Sequence, residues 1–388
     1  MNILILNHYF EQDMEAILSF NSLHKIRTME YGFFRSEALK IFPTEAFASI
    51  EGCSDQKYAQ LRDLYRKKIR KLSGSLLHEF PFDIFVIPSD SFFYIRDFIR
   101  YVQGIGKKVV VVQKETTISP DGMVNDSKKI AKYLPFISDY MAVCSERHKK
   151  FWINAGAKPD VIEVTGQPRF DFYVQPQKWK IEEKKGRRTI LFFSYDLKAY
   201  IPEDRGKEFS WKKLREQTEQ ILIEFAKKNS LKVDLIIKPH PQQQGRNAEI
   251  SFIKAMAGEK AENVRYITNS NVDTRQLIVN SDIIVGFQST ALIESMLLRK
   301  PIIYTNWATE FQYLGRDMIP FSEYSKAIHC CNSTNEFQTL LSEFLNNGLE
   351  PSDITMENRK SIFSEHLGPV DGESTERVFK VLEKVKGI

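Results

Sequence analysis

Cysteine is scarce in this chain and long apolar runs are missing, and both facts narrow the class of protein. The four cysteines, Cys53, Cys144, Cys330 and Cys331, show no Cys-x-x-Cys spacing within 388 residues. This usage gives no sign of a disulfide framework and favours a reducing compartment. No apolar run approaches the roughly 18 residues of a membrane-spanning helix, and the first residues, MNILILNHYF, are too briefly apolar for a signal peptide. We therefore expect a cytoplasmic protein.

A large excess of one charge is also lacking. The chain has 55 Lys and Arg against 50 Asp and Glu, a net charge of +5, which is too small to argue for nucleic acid as a partner. Residues 57–74, KYAQLRDLYRKKIRKLSG, are the exception, with seven basic residues, one Asp and apolar residues at helical spacing. Two interpretations stay open: the solvated face of a surface helix, or peripheral contact with an anionic membrane surface.

Short apolar runs alternate with helical patterns along both halves of the chain. Runs of this kind, bounded by polar residues, Gly or Pro, are typical of buried parallel strands. In the first half we predict strands at Ile3–Leu6, Ile84–Ile87, Lys108–Val112, Tyr140–Val143 and Val161–Val164. In the second half we predict strands at Thr189–Phe193, Val233–Ile237, Val264–Ile267, Ile283–Val285 and Ile302–Tyr304. The polar, basic segment Gln175–Arg188 is the best linker candidate.

This pattern and the chain length predict two consecutive α/β domains. We place an N-terminal domain at residues 1–175 and a C-terminal, nucleotide-binding domain at residues 176–373. A last helix within residues 374–388 is expected to pack back onto one of them.

The segment SDIIVGFQSTALIESMLLRKPIIY, residues 281–304, reads as a strand, a turn, a helix and a second strand. The turn carries Gln288, Ser289 and Thr290, whose hydroxyls and nearby backbone N–H groups suit an anion. Glu294 lies one helical turn beyond Thr290, so it could reach the ribose of a nucleotide whose phosphates occupy the turn. Taken alone, Ser-Thr at this position is an ordinary helix N-cap.

A second strand, LIIKPHP at residues 235–241, runs directly into Lys238, His240 and Pro241. Ser194 ends the first strand of the second domain in the same way. A lone His before Pro is more often structural than functional, but strand ends of this kind meet at the carboxyl edge of a parallel sheet. Together they predict a nucleotide phosphate site.

These motifs resemble those of GT-B glycosyltransferases, and in particular bacterial surface-polysaccharide enzymes with cytidine-nucleotide donors. Lys238-Pro239-His240-Pro241 is similar to the "HP" signature, and Ser289-Thr290 to the hydroxyl-pair signature, of such enzymes. The segment TGQPRFD, residues 165–171, resembles the one that precedes the interdomain linker in CDP-glycerol glycerophosphotransferases. The resemblance implies two Rossmann-like domains facing a central cleft. It also makes Gln167 and Arg169 candidates for substrate binding, although Arg169 could instead pair with Asp171.

The resemblance implies transfer from a cytidine-activated donor to a glycan or lipid-linked acceptor. Our first interpretation is transfer of an acidic sugar, of the Kdo or nonulosonate type, from a CMP-linked donor. The alternatives are polyol-phosphate transfer from CDP-glycerol or CDP-ribitol, a non-catalytic sugar-nucleotide binding protein, and a UDP-sugar 2-epimerase. No Asp-x-Asp occurs in the chain, so we expect neither a metal nor a cofactor, with cationic side chains holding the phosphates instead.

The general base is expected from the first domain. Glu115 follows the strand at Lys108–Val112, and a half-buried carboxylate there could deprotonate an acceptor hydroxyl. A surface carboxylate paired with Lys114 is the structural alternative. His8 and Asp90 follow two other strands of the same domain and are the substitute candidates.

Overall fold

A computed structural model describes residues 1–7, 11–20, 23–30, 32–114, 117–183, 186–194, 211–240, 247–258, 261–268, 272–308, 319–324, 326–349 and 360–387. The chain divides into two compact units. Unit 1 comprises Met1–Phe172 and Ser361–Ile388, and unit 2 comprises Tyr173–Lys360. The domain boundaries predicted from composition, after residues 175 and 373, stay a prediction. In the structure the chain re-enters unit 1 at Ser361, which lies before the second predicted boundary.

Unit 1 is built on a six-stranded parallel sheet in the order β2-β1-β3-β4-β5-β6. Its strands are β1 (Asn2–Asn7), β2 (Lys25–Glu30), β3 (Ile84–Ile87), β4 (Lys108–Val112), β5 (Tyr140–Val143) and β6 (Ile162–Val164). Its helices are α1 (Glu11–Ser19), α2 (Gly32–Leu39), α3 (Ala59–Glu79), α4 (Phe93–Gly104), α5 (Ser127–Tyr133) and α6 (Glu146–Asn154).

Unit 2 has a second six-stranded parallel sheet, in the order β12-β11-β10-β7-β8-β9. Its strands are β7 (Arg188–Ser194), β8 (Val233–Pro239), β9 (Val264–Tyr266), β10 (Ile283–Gly286), β11 (Ile302–Thr305) and β12 (His329–Cys331). Its helices are α7 (Trp211–Lys228), α8 (Asn247–Ala257), α9 (Thr274–Asn280), α10 (Thr290–Met296) and α11 (Thr334–Asn347). This strand order reverses between β7 and β10, as in a dinucleotide-binding sheet.

The last helix, α12 (Ser374–Lys386), belongs to unit 1. The alternation of β1 separates the two faces of the first sheet: Leu4 and Leu6 enter the core under α3 and α4, whereas Ile3 and Ile5 face α1 and α12. Val378, Phe379, Val381 and Leu382 of α12 are buried on that second face. Asp171 fixes the start of α12, because its carboxylate accepts hydrogen bonds from the backbone N–H groups of Ser374 and Thr375 at 2.9 and 2.8 Å.

The basic segment 57–74 forms most of α3, and its apolar stripe is used by the protein itself. Tyr65 and Ile69 are buried in the core, and Leu61 and Leu72 pack against it. Only Leu64 of that stripe is largely exposed, at 54%. A membrane contact through α3 would therefore depend on its exposed basic side chains, because most of the stripe has no free apolar surface to insert.

Candidate functional site

Three neighbouring strands of unit 2 bring the predicted donor-site residues to one edge. In the sheet register, Gly286 of β10 pairs with Phe193 of β7, and Phe193 pairs with Lys238 of β8. The strand order β10-β7-β8 places Ser194 between the turn after β10 and the end of β8. Since adjacent strands are about 4.8 Å apart, the two outer strand ends are separated by about 10 Å. This is the size of a nucleotide's phosphate group with part of its sugar.

Lys238 is the electrostatic centre of this edge. It is only 6% exposed, and among the described residues its ammonium group has no hydrogen-bond or ion-pair partner. Burial lowers the pKa of Lys238 because removing water disfavours the charged form. A buried cation without an acidic partner is costly to the fold. The phosphate contact predicted for Lys238 stays a prediction.

His240 adds a second nitrogen base two residues further along. Burial, together with the nearby charge of Lys238, lowers the pKa of His240 to about 4. The imidazole is therefore neutral at pH 7 in the free protein, and a bound phosphate would favour its protonated form. The backbone N–H of His240 donates to the carbonyl of Ser194 at 3.0 Å, which ties the ends of β7 and β8 together.

The hydroxyl proton of Ser194 is used in a hydrogen bond within the protein. Its hydroxyl donates to Oε1 of Glu219 on α7 at 2.6 Å, and both side chains are buried. The oxygen of Ser194 can still accept a hydrogen bond. Glu219 was missed by the sequence analysis because nothing in the pattern of α7 distinguishes it from the other acidic residues of that helix.

The turn after β10 divides the roles of its three residues. Gln288 has a positive φ of 43°, and its side chain donates to the hydroxyl of Tyr304 at 2.7 Å and accepts from the backbone N–H of Ile319 at 2.9 Å. It therefore braces the turn. Ser289 is the N-cap of α10 and accepts from the N–H of Ala291 at 3.3 Å. Thr290 is partly exposed and makes no hydrogen bond through its hydroxyl among the described residues.

Glu294 is buried one turn into α10, where its Oε2 accepts a hydrogen bond from the hydroxyl of Tyr173 at 2.7 Å. This contact joins α10 to the segment that opens unit 2. The ribose contact expected for Glu294 stays a prediction, with Tyr173 as its structural partner. Tyr173 lies two residues beyond TGQPRFD, and a partner 121 residues away in sequence leaves no local signal.

Gln167 and Arg169 lie in unit 1 and converge on Asp13, a buried carboxylate of α1. Arg169 donates to Asp13 through its guanidinium and its backbone N–H, both at 2.9 Å. Gln167 donates to Asp13 at 3.2 Å and to the carbonyl of Lys114 at 2.8 Å. The carboxylate that pairs with Arg169 is thus Asp13, while Asp171 holds α12.

Asp90 lies in the loop after β3 and is fully buried, and its carboxylate binds backbone N–H groups. Its Oδ2 accepts from the N–H groups of Ile137 and Ser138 at 2.9 and 3.0 Å. Burial raises the pKa of Asp90. These contacts give the carboxyl a structural task, and its catalytic role stays a prediction. The other two candidates for the base, Glu115 and His8, lie outside the described residues, as does Pro241 of the donor site.

Within the described parts of the chain, no group of three or more His, Cys, Asp or Glu side chains is placed to hold a metal ion. Nor is any of the described helices long and apolar enough to cross a membrane.

Solved structures with the same two-sheet architecture place the chain among GT-B proteins. It is similar to a putative UDP-N-acetylglucosamine 2-epimerase from Listeria monocytogenes, with a TM-score of 0.60, 10% identity, and coverage of 99% of this chain and 96% of that one. The UDP-GlcNAc 2-epimerase from Neisseria meningitidis bound to UDP-GlcNAc gives a TM-score of 0.58, 13% identity, and coverage of 99% and 100%. A variant of the wall teichoic acid polymerase TagF gives a TM-score of 0.55, 9% identity, and coverage of 100% and 89%.

The class that these likenesses define is the GT-B fold. Residues 108–384 match the family described as CDP-Glycerol:Poly(glycerophosphate) glycerophosphotransferase, and the chain belongs to that family. No curated protein matches the chain. The family favours the polyol-phosphate alternative over the acidic-sugar transfer that we placed first, for which no comparison gives support. The family agrees with the surface-polysaccharide role that the sequence resemblance implies.

Proposed function

We propose that this protein transfers a polyol phosphate from a CDP-linked donor to a hydroxyl group of a glycan or lipid-linked acceptor. Unit 2 binds the cytidine nucleotide through Lys238 and His240, with the turn at Gln288–Thr290 across the edge. The observation that carries the proposal is the buried ammonium of Lys238, which has no acidic partner among the described residues. A diphosphate supplies the missing charge, and the family match gives its chemical class.

In this reaction the acceptor oxygen attacks the phosphorus that bears the polyol. One P–O bond forms to the acceptor, and the P–O bond to CMP breaks, so CMP leaves with the bonding electron pair. Negative charge develops on the leaving phosphate, where Lys238 and a protonated His240 stabilise it without a metal ion. The proton of the acceptor hydroxyl passes to a general base, for which Glu115 is our first choice, with His8 and Asp90 as substitutes.

Two other functions are compatible with the same fold, and experiment can distinguish each of them from polyol-phosphate transfer. The likeness to the 2-epimerases, at 10% and 13% identity, concerns the fold alone. An epimerase would interconvert UDP-sugars without any acceptor, whereas a non-catalytic binding protein would retain nucleotide affinity and turn over no donor. A peripheral contact of the basic face of α3 with an anionic membrane is compatible with a lipid-linked acceptor, and vesicle binding would test it.

The proposal is tested by supplying separate donors: CDP-glycerol, CDP-ribitol, a CMP-linked nonulosonate and UDP-N-acetylglucosamine. We expect CMP release only with a CDP-polyol, and mass spectrometry should find a polyol phosphate added to the acceptor. CMP release with an acidic sugar on the acceptor would return the assignment to our first interpretation. CDP binding without turnover of any donor would favour the binding protein.

A matched pair of variants ties the result to the site. Lys238→Met removes the buried ammonium at the carboxyl end of β8, and Lys232→Met removes an exposed one just before the same strand. We expect Lys238→Met to lose turnover and to bind CDP about 10–100-fold more weakly, with Lys232→Met unaffected. Equal turnover and equal CDP affinity in the two variants would exclude Lys238 from the donor site.

A further inference from the structure

Unit 1 contains a cavity of about 270 Å³ that none of the predicted site residues lines. It lies between α3, the first turns of α4 and the residues around Cys53. Four arginines, Arg62, Arg66, Arg96 and Arg100, line it, and Asp97 is the only acidic residue among its described lining residues. We call this cavity the arginine pocket. The excess of positive charge in this pocket is unfavourable, because like charges held close together repel one another.

Arg96 is the fixed cation of the pocket. It is 6% exposed, and its guanidinium donates to the carbonyls of Asp90 and Pro135 at 2.9 and 2.7 Å. Burial lowers the pKa of Arg96, although an arginine stays charged at neutral pH. Its hydrogen-bond partners are carbonyls, and the nearby carboxylates of Asp90 and Asp97 act on its charge through space rather than by direct contact.

Two further arginines have donors to spare at the same cavity. Arg62 uses one nitrogen, Nη1, for the carbonyls of Cys53 and Asp55, and its other donors make no hydrogen bond to the described residues. Arg100 lies 3.6 Å from Asp97, beyond hydrogen-bond distance. Asp97 is shared, because Nε of Arg66 also contacts it at 3.4 Å. Arg66 also donates from Nη1 to Asp63 at 3.0 Å, so two carboxylates compensate its charge. Among the described residues, Arg100 has only the shared Asp97 as an ionic partner.

The remaining wall is aromatic and rigid. Phe42 packs edge-on against Tyr65 and Phe93, with ring centroids 5.6 and 5.2 Å apart. The hydroxyl of Tyr65 is occupied by the carbonyls of Phe34 and Tyr94. This wall offers an apolar surface, so the pocket suits an anion that is attached to carbon.

We propose that the arginine pocket binds a phosphate group carried on a small organic body. With Arg66 paired to Asp63, the positive charge of Arg62, Arg96 and Arg100 still exceeds that of Asp97 in the lining. A phosphate matches this excess, and its oxygens accept the paired, planar N–H donors of arginine. The inference does not depend on the nucleotide site, because it rests on different residues in the other unit.

The test uses the full chain carrying Lys238→Met, so that the nucleotide site contributes little to phosphate binding. Calorimetry at constant ionic strength compares inorganic phosphate, glycerol 3-phosphate and, as a neutral control, glycerol. We expect saturable binding of both phosphates and none of glycerol. In this background Arg100→Gln should weaken glycerol 3-phosphate binding about tenfold, as loss of a charge-assisted hydrogen bond does. Asp97→Asn should tighten it.

Arg70→Gln is the matched control, because Arg70 is an exposed arginine one turn beyond Arg66 on α3 and does not line the pocket. An absence of saturable phosphate binding, or an equal loss of glycerol 3-phosphate affinity in Arg100→Gln and Arg70→Gln, would overturn the proposal.

Binding to vesicles of phosphatidylglycerol, compared with binding to vesicles of phosphatidylcholine, identifies the source of the phosphate. Retention on phosphatidylglycerol alone, lost in Arg100→Gln, would indicate a lipid headgroup, and binding of soluble glycerol 3-phosphate alone would indicate a free ester. The difference between Arg100→Gln and Arg70→Gln separates this proposal from the nucleotide-site proposal, since both arginines lie in unit 1.

Discussion

The carboxyl edges of the two sheets carry opposite charges and use them differently. In unit 1, three aspartates follow strands β1, β3 and β6, and each holds another part of the same unit. Asp13 holds Gln167 and Arg169, Asp90 holds the backbone before β5, and Asp171 holds the start of α12. In unit 2, Lys238 lies near the end of β8 and has no acidic partner among the described residues. A charge that is paired within its own unit maintains the fold, whereas a buried charge without such a partner is a candidate for ligand binding.

The comparison narrows the search for the general base, because the aspartates of the first edge are already engaged. If the base comes from unit 1, Glu115 or His8 should supply it. We expect Glu115→Gln to reduce turnover by about 10²–10⁴-fold with CDP affinity unchanged, since the amide keeps the shape and loses the basicity. Steady-state kinetics and calorimetry on one preparation check both. Wild-type turnover in Glu115→Gln with an inactive His8→Ala would move the assignment to His8.

The structural role of the first edge is tested at Asp90. Asp90→Ala leaves two buried N–H groups without an acceptor, so the free energy of unfolding should fall by about 2–4 kcal/mol. Denaturant titration measures this change. Asp90→Asn is the control, since it retains one oxygen for the two donors and should lose less. If Asp90→Ala kept full stability but lost turnover, Asp90 would be catalytic and the contrast between the two edges would fail.

The ligand-binding role of the second edge is tested by the opposite outcome. Lys238→Met should weaken CDP binding by about 10–100-fold, as expected for losing a charged hydrogen-bond donor to phosphate. The free protein should be as stable as the wild type or more so, because an unpaired buried charge has been removed. Thermal unfolding with and without CDP measures both quantities. A large loss of stability without ligand would make Lys238 a structural residue.

The smallest expected effect is the uptake of protons when CDP binds. With its pKa lowered to about 4, His240 is neutral in the free protein at pH 6, and a bound phosphate should raise that pKa. The wild type should therefore take up a larger fraction of a proton on binding CDP than His240→Gln does. Calorimetry in two buffers of different ionisation enthalpy measures the difference, and equal uptake would remove His240 from the phosphate contact.

The same lowered pKa makes the folded state sensitive to acid. The unfolded chain binds a proton at His240 near pH 6.5 and the folded chain only near pH 4, so this contribution to stability is present above pH 6.5 and is lost as the pH falls towards 4.

Much of the fold was predictable because ten of the twelve described strands are short apolar runs. The two that were missed, β2 and β12, are edge strands. β2 has the sequence KIRTME and is mostly exposed, and β12 is three residues long. An edge strand with solvent on both faces needs no apolar run, so periodicity gives no signal for it.

The donor motifs were predictable for a related reason: strand ends of a parallel sheet share one edge, so Lys238, Ser194 and Gln288 could be brought together from order alone. Their hydrogen-bond partners could not. Glu219, Tyr173 and Asp13 are contacts across 25, 121 and 156 residues of sequence. Such pairs are determined by packing in three dimensions, and no local pattern in one sequence encodes them.

The return of residues 361–388 to unit 1 has a consequence for synthesis on the ribosome. Unit 2 is one continuous stretch, so it can fold as soon as residue 360 has left the exit tunnel. Until α12 emerges, unit 1 has only α1 to cover Ile3, Ile5, Ile84 and Val86. One face of the first sheet therefore stays partly exposed until the residues that follow unit 2 have been made.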